Sequence, residues 1–209
     1  QQARVLGLNP KVIELDNYFV DRDRTPRDEN GEYDFEALEA MDVEYLNMQL
    51  SALLRGEEIE VPKFDFASGC RKSSGCRLSL GENDILFMEG IHALNDMITD
   101  RHPEAFKLYI SARSDVEFGG KIVFKRTWFR LVRRTVRDYL FRGTAAQETL
   151  AHWANIRRGE KLYISPFKDK ANLQFDSSFA YEVPVLNNTA TDLFNAMPAD
   201  TPRYSELQS

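Results

Sequence analysis

The sequence predicts an α/β fold built around a parallel sheet. Short apolar runs alternate along the 209 residues with stretches of helical periodicity, and this alternation is typical of parallel strands joined by helices. A hydrophobic content of 43%, with 14 Phe and 8 Tyr, is enough for a sizeable core. The length fits a single domain, so we expect one domain over residues 1–209.

Four apolar runs are the expected strands of this sheet. They cover 11–15, 84–89, 106–110 and a segment near 172–175. The run 84–89 has the strongest pattern and predicts a buried strand.

Helical periodicity fills the segments between these runs. Asp42 is predicted to cap a helix that Gly56 closes. The apolar stripe of this helix comprises Val43, Leu46, Leu50, Leu53 and Leu54. Further helices are expected near 92–99, over 127–142 and 144–158, and near 190–197. A long polar loop covers 21–36 and precedes the first of these helices.

Residues 59–80 predict a β-hairpin arm. Polar and apolar residues alternate there around Ser73-Ser74-Gly75, a group of turn-forming residues. Cys70 and Cys76 lack the spacing and the second pair of a zinc site, so we expect free thiols in a polar hairpin loop. Free thiols favour a reducing, intracellular setting.

Composition limits the classes of function. The net charge of −6 argues against non-specific nucleic-acid binding, which needs a basic surface. No apolar run approaches the ~20 residues of a membrane helix, and the first residues lack the apolar core of a signal peptide. We therefore expect a cytoplasmic protein, or an organellar one (mitochondrion or plastid) if a leader precedes the sequence.

Two acids follow expected strands. Asp16 comes after 11–15, and Glu89 ends 84–89. Ligands of parallel α/β sheets bind beyond the carboxyl ends of the strands. One carboxylate there can accept a proton from a sugar hydroxyl, and a neighbouring one can hold Mg²⁺ through water. Alternatively, both acids are ordinary polar residues at strand ends.

Four arginines fall on one face of the helix predicted over 127–142 and its preceding residue. They are Arg126, Arg130, Arg133 and Arg137. Guanidinium groups match phosphate oxygens in a bidentate fashion, so the stripe is compatible with a phosphate-gripping lid. A solvated charged face and a nucleic-acid helix are the alternatives.

A series of motifs resembles the bacterial-type uridine kinases of the phosphoribulokinase/uridine kinase family. They are LDNYFVDR (15–22), TPRD (25–28), GEYDFE (31–36), LLRGEE (53–58), FDF (64–66), LGEND (80–84), EGIHALN (89–95), RLVRR (130–134), RDY (137–139) and RRGEK (157–161). They occur in family order over nearly the whole chain.

The resemblance implies a P-loop NTPase-type three-layer fold with a parallel sheet, a small β-hairpin arm at about 57–80 and a helical lid at about 117–142. The implied reaction moves the γ-phosphate of ATP or GTP onto the 5′-hydroxyl of uridine or cytidine, with Mg²⁺, in pyrimidine salvage. The implied partners are the nucleoside substrate and either further copies of the chain, in a homo-oligomer, or the other subunits of a larger complex.

The resemblance also assigns roles to five residues. Asp16 matches the catalytic base, and Arg133 matches the lid arginine that steadies the transferring phosphoryl group. Asp65 matches the carboxylate that holds the ribose hydroxyls, and Arg130 matches the arginine that reaches the nucleoside. Glu89 matches the acid near Mg²⁺.

The phosphate cradle of the family does not occur in the printed sequence. Its string G-x-x-x-x-G-K-[ST] is absent from the 209 residues. Residues 3–10 resemble the end of the helix that follows this loop. We therefore expect the first strand and the loop to lie upstream, or another chain to supply them.

Other departures lie within the lid. Gly119-Gly120-Lys121-Ile122 replaces an acidic, histidine-containing stretch, Trp128 replaces an Asp, and Asn172 stands where the family commonly has Asp. His92 is expected to be structural. The hypotheses are thus an active nucleoside kinase and a catalytically silent kinase-fold subunit or adaptor. A nucleic-acid module that uses the arginine stripe ranks last.

Overall fold

The computed structural model describes residues 2–29 and 31–201. The chain divides into two compact units. The first runs to Phe106 and includes Gly159–Lys170, and the second comprises Lys107–Arg158 and the residues from Ala171 onward. Each unit contains a parallel strand pair together with helices, which confirms the α/β class.

The first unit contains a parallel pair, an antiparallel hairpin and a packing helix. Its elements are α1 (Gln2–Val5), β1 (Asn9–Glu14), α2 (Val43–Leu54), β2 (Ile59–Asp65), β3 (Cys70–Leu78), β4 (Asp84–Glu89) and α3 (Asp96–Thr99). Short 3₁₀ turns occur at Leu15–Tyr18, Arg22–Arg24 and Leu38–Ala40. A π turn at Glu160–Ile164 and a 3₁₀ turn at Ser165–Lys170 complete this unit.

Strands β1 and β4 pair in parallel, with Glu14 opposite Glu89. The predicted strand 11–15 is thus confirmed, although it ends at Glu14 and Asp16 lies in the following 3₁₀ turn. The predicted full burial of 84–89 is wrong. Successive side chains of a strand point to opposite faces, so Leu86 packs on the core while Phe87 is 47% exposed.

Helix α2 forms the core of the first unit against this strand pair. Leu46, Leu50 and Leu53 are buried at the spacing expected for one helix face. The predicted cap is confirmed, since Asp42 Oδ1 accepts a hydrogen bond from Tyr45 N at 3.1 Å. One helix face therefore anchors the strand that ends at Glu89 and the strand that leads into the turn with Asp16.

The predicted arm is present as the antiparallel pair β2–β3, but its reversal lies elsewhere. The chain turns at residues 66–69, where Gly69 has φ +70°. The segment around Ser73-Ser74-Gly75 lies within β3, at a register shift opposite Val61. Cys70 and Cys76 are free and exposed, as expected, but they lie on β3 and not in a loop.

The second unit combines a parallel pair, a short hairpin and four helices. Its elements are β5 (Leu108–Ser111), β6 (Val116–Phe118), β7 (Lys121–Phe124), α4 (Arg126–Arg142), α5 (Ala146–Ala151), α6 (Trp153–Gly159), β8 (Leu173–Asp176) and α7 (Glu182–Asn195). Strands β5 and β8 are parallel. Buried residues of α4, α5, α6 and α7 form one core cluster.

Two helix predictions in this unit need correction. The helix expected over 144–158 is divided at His152 into α5 and α6. The helix expected near 190–197 begins at Glu182, because Pro184 lies in its first turn, where the missing N–H has no intrahelical partner. The predicted ends of α4 are confirmed to within one residue.

Candidate functional site

Carboxylates converge at the carboxyl end of the β1–β4 pair. Glu14 and Glu89 are paired in register, and Asp16 follows two residues after Glu14. Partial burial raises the pKa of Glu89, and the charges of Asp16 and Glu14 raise it further. The structure thus brings together the two predicted acids and adds Glu14, which the sequence analysis missed because the strand register was unknown.

A glycine permits this convergence. A Cβ at Gly90 would lie 2.6 Å from Leu15 Cβ, closer than side-chain atoms approach. The loop after β4 can therefore run directly against the turn that carries Asp16. Glycine is therefore required by packing at the second position of the E-G-I motif.

Asp65 lies at the end of β2, where it holds the reversal of the arm. Its Oδ1 accepts hydrogen bonds from the N–H groups of Ala67 (3.0 Å) and Ser68 (3.4 Å). Its other oxygen pairs with Lys72 Nζ. The Lys72 ammonium, together with the bonds from Ser68 and Ala67, holds the pKa of Asp65 well below its usual range. Asp65 is therefore ionised and already engaged within the arm.

An aromatic cluster includes both sequence neighbours of Asp65. Phe64 and Phe66 are 5.1 Å apart between ring centroids, and the ring of Phe19 lies 5.6 Å from Phe64 and 6.2 Å from Phe66. Phe35 meets Phe19 edge-on at 6.3 Å. Phe66 is 58% exposed and Phe35 is 41% exposed. The F-D-F motif in the sequence gives no sign of the surface that these rings form, because Phe19 and Phe35 come from distant segments.

His92 is buried in the first unit. Its side chain is 3% exposed, and its ring meets Tyr163 edge-on at 6.0 Å between centroids. Burial lowers the pKa of His92, so the ring is neutral at pH 7. The His92 side chain is thus packed in the interior of the first unit. Its structural role stays a prediction.

The second unit carries Arg130 and Arg133 on α4. Arg133 donates from Nε and Nη2 to the two carboxylate oxygens of Glu182, each at 2.6 Å. It also reaches the Oγ and the carbonyl oxygen of Ser177. Arg130 is half-buried on the same helix. The predicted lid arginine is thus held by a bidentate carboxylate in this structure.

A second carboxylate pairs with another arginine of the stripe, Arg137. Asp138 is buried, and Arg137 contacts its Oδ1 at 2.8 Å. Arg134 and Arg142 contact the same carboxylate at 3.4 and 3.6 Å. Because internal acids occupy Arg133 and Arg137, two of the four stripe residues are not available as free cations. This weakens the nucleic-acid interpretation of α4.

The segment predicted as a lid, 117–142, folds as the hairpin β6–β7 followed by α4. Gly119 and Gly120 form its two-residue turn with φ values of +58° and +76°, the backbone of a tight hairpin turn. Trp128 packs edge-on against Phe124 at 5.5 Å. The glycines and the tryptophan that depart from the family pattern therefore have structural roles here.

Asn172 also has a structural role. Its Oδ1 accepts a hydrogen bond from Lys107 N at 2.8 Å, and its N–H donates to Lys107 O at 2.8 Å. This double contact aligns the start of β8 with the start of β5. An Asp at this position would keep the acceptor, so the substitution preserves the strand pairing.

The described residues lack two kinds of feature. Within 2–29 and 31–201, no three His, Cys, Asp or Glu side chains form a group that could hold a metal ion. Across the same residues, no helix combines the length and apolar character of a membrane crossing. A Mg²⁺ bound mainly through waters and phosphates needs only one or two protein carboxylates, and Glu89 and Asp16 fit that requirement.

Comparison with known proteins identifies relatives of the chain. It is 27% identical over 169 residues to a uridine kinase of Halobacterium salinarum, covering 80% of this chain and 68% of the relative. It is 26% identical over 168 residues to a uridine kinase of Staphylococcus aureus strain JH9, covering 80% and 73%.

Solved structures show the same fold. A candidate fructose transport system kinase from Silicibacter sp. TM1040 matches with a TM-score of 0.55 at 19% identity, over 82% of this chain and 77% of that one. A possible uridine kinase from Bacillus stearothermophilus matches with a TM-score of 0.52 at 17% identity, over 84% and 77%. The kinase-type fold predicted from the motifs is thereby confirmed.

A family model matches most of the chain. The model of the phosphoribulokinase / uridine kinase family matches residues 12–183. This range includes both strand-end acids, the arm and α4. The chain therefore belongs to the phosphoribulokinase / uridine kinase family.

Proposed function

We propose that this protein transfers the γ-phosphoryl group of ATP or GTP to the 5′-hydroxyl of uridine or cytidine. The observation that carries the proposal is the convergence of Asp16 and Glu89 at the carboxyl end of β1–β4, with the pKa of Glu89 raised. Carboxylates that lie close together despite their mutual repulsion are typical of functional sites. The curated relatives named uridine kinase supply the substrate class.

The roles of the residues follow from their chemistry. Asp16 accepts the proton of the attacking 5′-hydroxyl. The hydroxyl oxygen forms a bond to the γ-phosphorus, and the bond between the γ-phosphorus and the bridging oxygen of the departing nucleoside diphosphate breaks. Glu89 would hold a Mg²⁺ ion, and such an ion would neutralise charge on the phosphate oxygens.

The arm supplies nucleoside contacts in this proposal. The exposed ring of Phe66, with Phe19 and Phe64 beside it, offers a face on which a pyrimidine stacks. Asp65 accepts from the ribose hydroxyls when Lys72 releases it. Arg130 and Arg133 are the proposed nucleoside and phosphoryl contacts of α4, and Arg133 must exchange Glu182 for the phosphoryl group.

A catalytically silent subunit is the second candidate. Arg133 is held by Glu182 and Asp65 by Lys72, so two proposed ligand-binding groups have internal partners. A structural or adaptor role, in a homo-oligomer or a larger complex, would require neither group to be released. A cytoplasmic location is proposed for either function.

The test compares ADP formation with and without uridine, using the full gene product, Mg²⁺ and ATP. We expect uridine-dependent turnover, reduced about 100-fold or more in Asp16→Asn because a general base is lost. Asp23→Asn removes an exposed acid of the same loop and is the matched control. No turnover, together with no ATP-induced change in melting temperature, would leave the silent subunit as the function.

A further inference from the structure

The reversal of the arm is attached to the loop that follows Asp16. Arg22 N donates to Gly69 O at 2.8 Å, and Arg22 Nη2 donates to Phe66 O at 2.8 Å. One residue thus bonds to carbonyl groups at both ends of the turn over 66–69. Its backbone holds the end of the turn at Gly69, and its side chain holds the backbone carbonyl of Phe66.

Gly69 gives the guanidinium group room to lie against the turn. A Cβ at this position would lie 2.6 Å from Arg22 Nε and 2.7 Å from Arg22 Cζ. The backbone there also has φ +70°, which glycine adopts without strain. Both the conformation of the turn and the position of the Arg22 side chain therefore depend on the absence of a Cβ at residue 69.

Two further contacts fix the strand pair next to this turn to the same loop. Asn17 Oδ1 accepts from Phe64 N at 3.2 Å, and Asp21 Oδ1 accepts from Arg71 N at 2.8 Å. Asp16 immediately precedes this segment. The loop over 17–22 therefore joins the proposed catalytic base to the arm that carries Asp65 and the aromatic rings.

We propose that Arg22 is a positioning residue for nucleoside binding. By holding the turn over 66–69, it fixes the ring of Phe66 and the carboxylate of Asp65 at a set place relative to Asp16. The nucleoside then meets its base-stacking ring and its proton acceptor in one arrangement. This inference rests on the proposed kinase function and adds a specific residue to it.

A purely structural role makes a different prediction. If Arg22 only stabilised the arm, its removal would lower the melting temperature and the amount of active protein, with KM for uridine unchanged. A positioning role changes KM for uridine while KM for ATP stays constant, because the arm is proposed to bind the nucleoside and not ATP. The two roles therefore separate in kinetics measured well below the melting temperature.

The experiment uses Arg22→Ala, Arg22→Lys and Gly69→Ala in the full gene product. We expect KM for uridine to rise about tenfold in Arg22→Ala and Gly69→Ala, the size expected when a charged hydrogen bond is lost. Arg22→Lys should give a smaller rise, since an ammonium group can still reach one carbonyl oxygen. Arg24→Ala removes an exposed arginine of the same 3₁₀ turn and should change neither KM.

Hydrogen exchange gives a second readout that does not need turnover. We expect faster exchange of the peptide containing Gly69 and Arg71 in Arg22→Ala, and no change in Arg24→Ala. If the unmodified protein is active and Arg22→Ala has the same KM for uridine, the positioning role is overturned and the kinase proposal stays intact. Absence of uridine binding and turnover in the unmodified protein would overturn both.

Discussion

Arg133 and Glu182 form a bidentate ion pair, with Nε and Nη2 of the arginine each 2.6 Å from a carboxylate oxygen. The pair joins α4 to the first turn of α7, and its side chains are 30% and 17% exposed. Two parallel N–H···O bonds to a partly buried carboxylate are among the stronger polar contacts in proteins. The geometry that binds Glu182 is also the geometry that would bind a phosphoryl group.

Glu182→Gln tests whether Arg133 leaves this pair during turnover. The substitution keeps one acceptor and removes the charge, so the free energy of unfolding should fall by about 1–2 kcal/mol. Turnover with uridine should be retained or raised, because Arg133 is released more easily. Denaturant unfolding and kcat are the measurements, and a loss of kcat equal to that of Arg133→Ala would contradict a mobile Arg133.

Arg133→Ala should lower turnover far more than Arg134→Ala. Both remove one guanidinium group from α4, but the carboxylate that Arg134 contacts is also contacted by Arg137 and Arg142. Its loss leaves Asp138 paired, so it is the matched control. Equal reductions in kcat would argue against a phosphoryl contact for Arg133 and favour a purely structural pair.

Local patterns were enough to predict much of the fold. Asp42 and the leucines of α2 were identified from spacing alone, because a helix cap and an apolar stripe depend on neighbours within the same helix. The reversal of the arm was misplaced because the Ser-Ser-Gly segment has turn-forming residues. The actual turn depends on Asp65 and on the distant Arg22, which no local window contains.

The candidate site was predicted less completely for the same reason. Asp16 and Glu89 could be placed at strand ends, since parallel strands share a carboxyl edge. The register that adds Glu14, and the partners that hold Arg133 and Asp65, come from contacts between segments distant in sequence. Such contacts are fixed by packing and leave no local signature.

Glu89→Gln should remove a pH-dependent cost to stability. The pKa of Glu89 is raised above its ordinary 4.5, so the folded state favours the protonated acid. The stability advantage of that form is present below pH 4.5 and is lost as pH rises through the folded pKa. Glu89→Gln should therefore melt higher than the unmodified protein at pH 7, by up to about 2 °C, and equally at pH 4.

The same variant should lose activity. We expect a higher Mg²⁺ concentration for half-maximal turnover, because a carboxylate ligand is gone. A gain in stability with a loss of function is typical of a residue kept for its chemistry. A lower melting temperature at pH 7, or unchanged Mg²⁺ dependence, would contradict the assignment.

Asp138→Asn should destabilise the second unit. The side chain of Asp138 is 8% exposed and is the shared partner of Arg134, Arg137 and Arg142. Removing its charge leaves three guanidinium groups without their shared carboxylate. Because these groups are partly exposed, the loss should be about 1–2 kcal/mol. Denaturant unfolding measures the change, and Asp192→Asn on the exposed face of α7 should stay within about 0.5 kcal/mol.

Lys72→Met tests whether Asp65 binds the nucleoside. The Lys72 ammonium contacts one oxygen of Asp65, while the N–H groups of Ala67 and Ser68 bond to the other. Removing the ammonium frees the first oxygen and leaves the cap of the turn in place. If Asp65 accepts from the ribose hydroxyls, KM for uridine should fall about threefold, since the competing partner is gone.

The pH dependence of the same constant provides the control. Because the pKa of Asp65 lies well below its usual range, the carboxylate stays ionised and should add no pH dependence to KM for uridine between pH 5 and 8 in the unmodified protein. In Lys72→Met the pKa rises toward its ordinary value of 3.8, still below this window. A flat profile in both proteins, with a lower KM only in the variant, assigns the effect to release of the carboxylate. An unchanged KM in Lys72→Met, with a lowered melting temperature in Asp65→Asn, would instead leave Asp65 as the cap of the arm and nothing more.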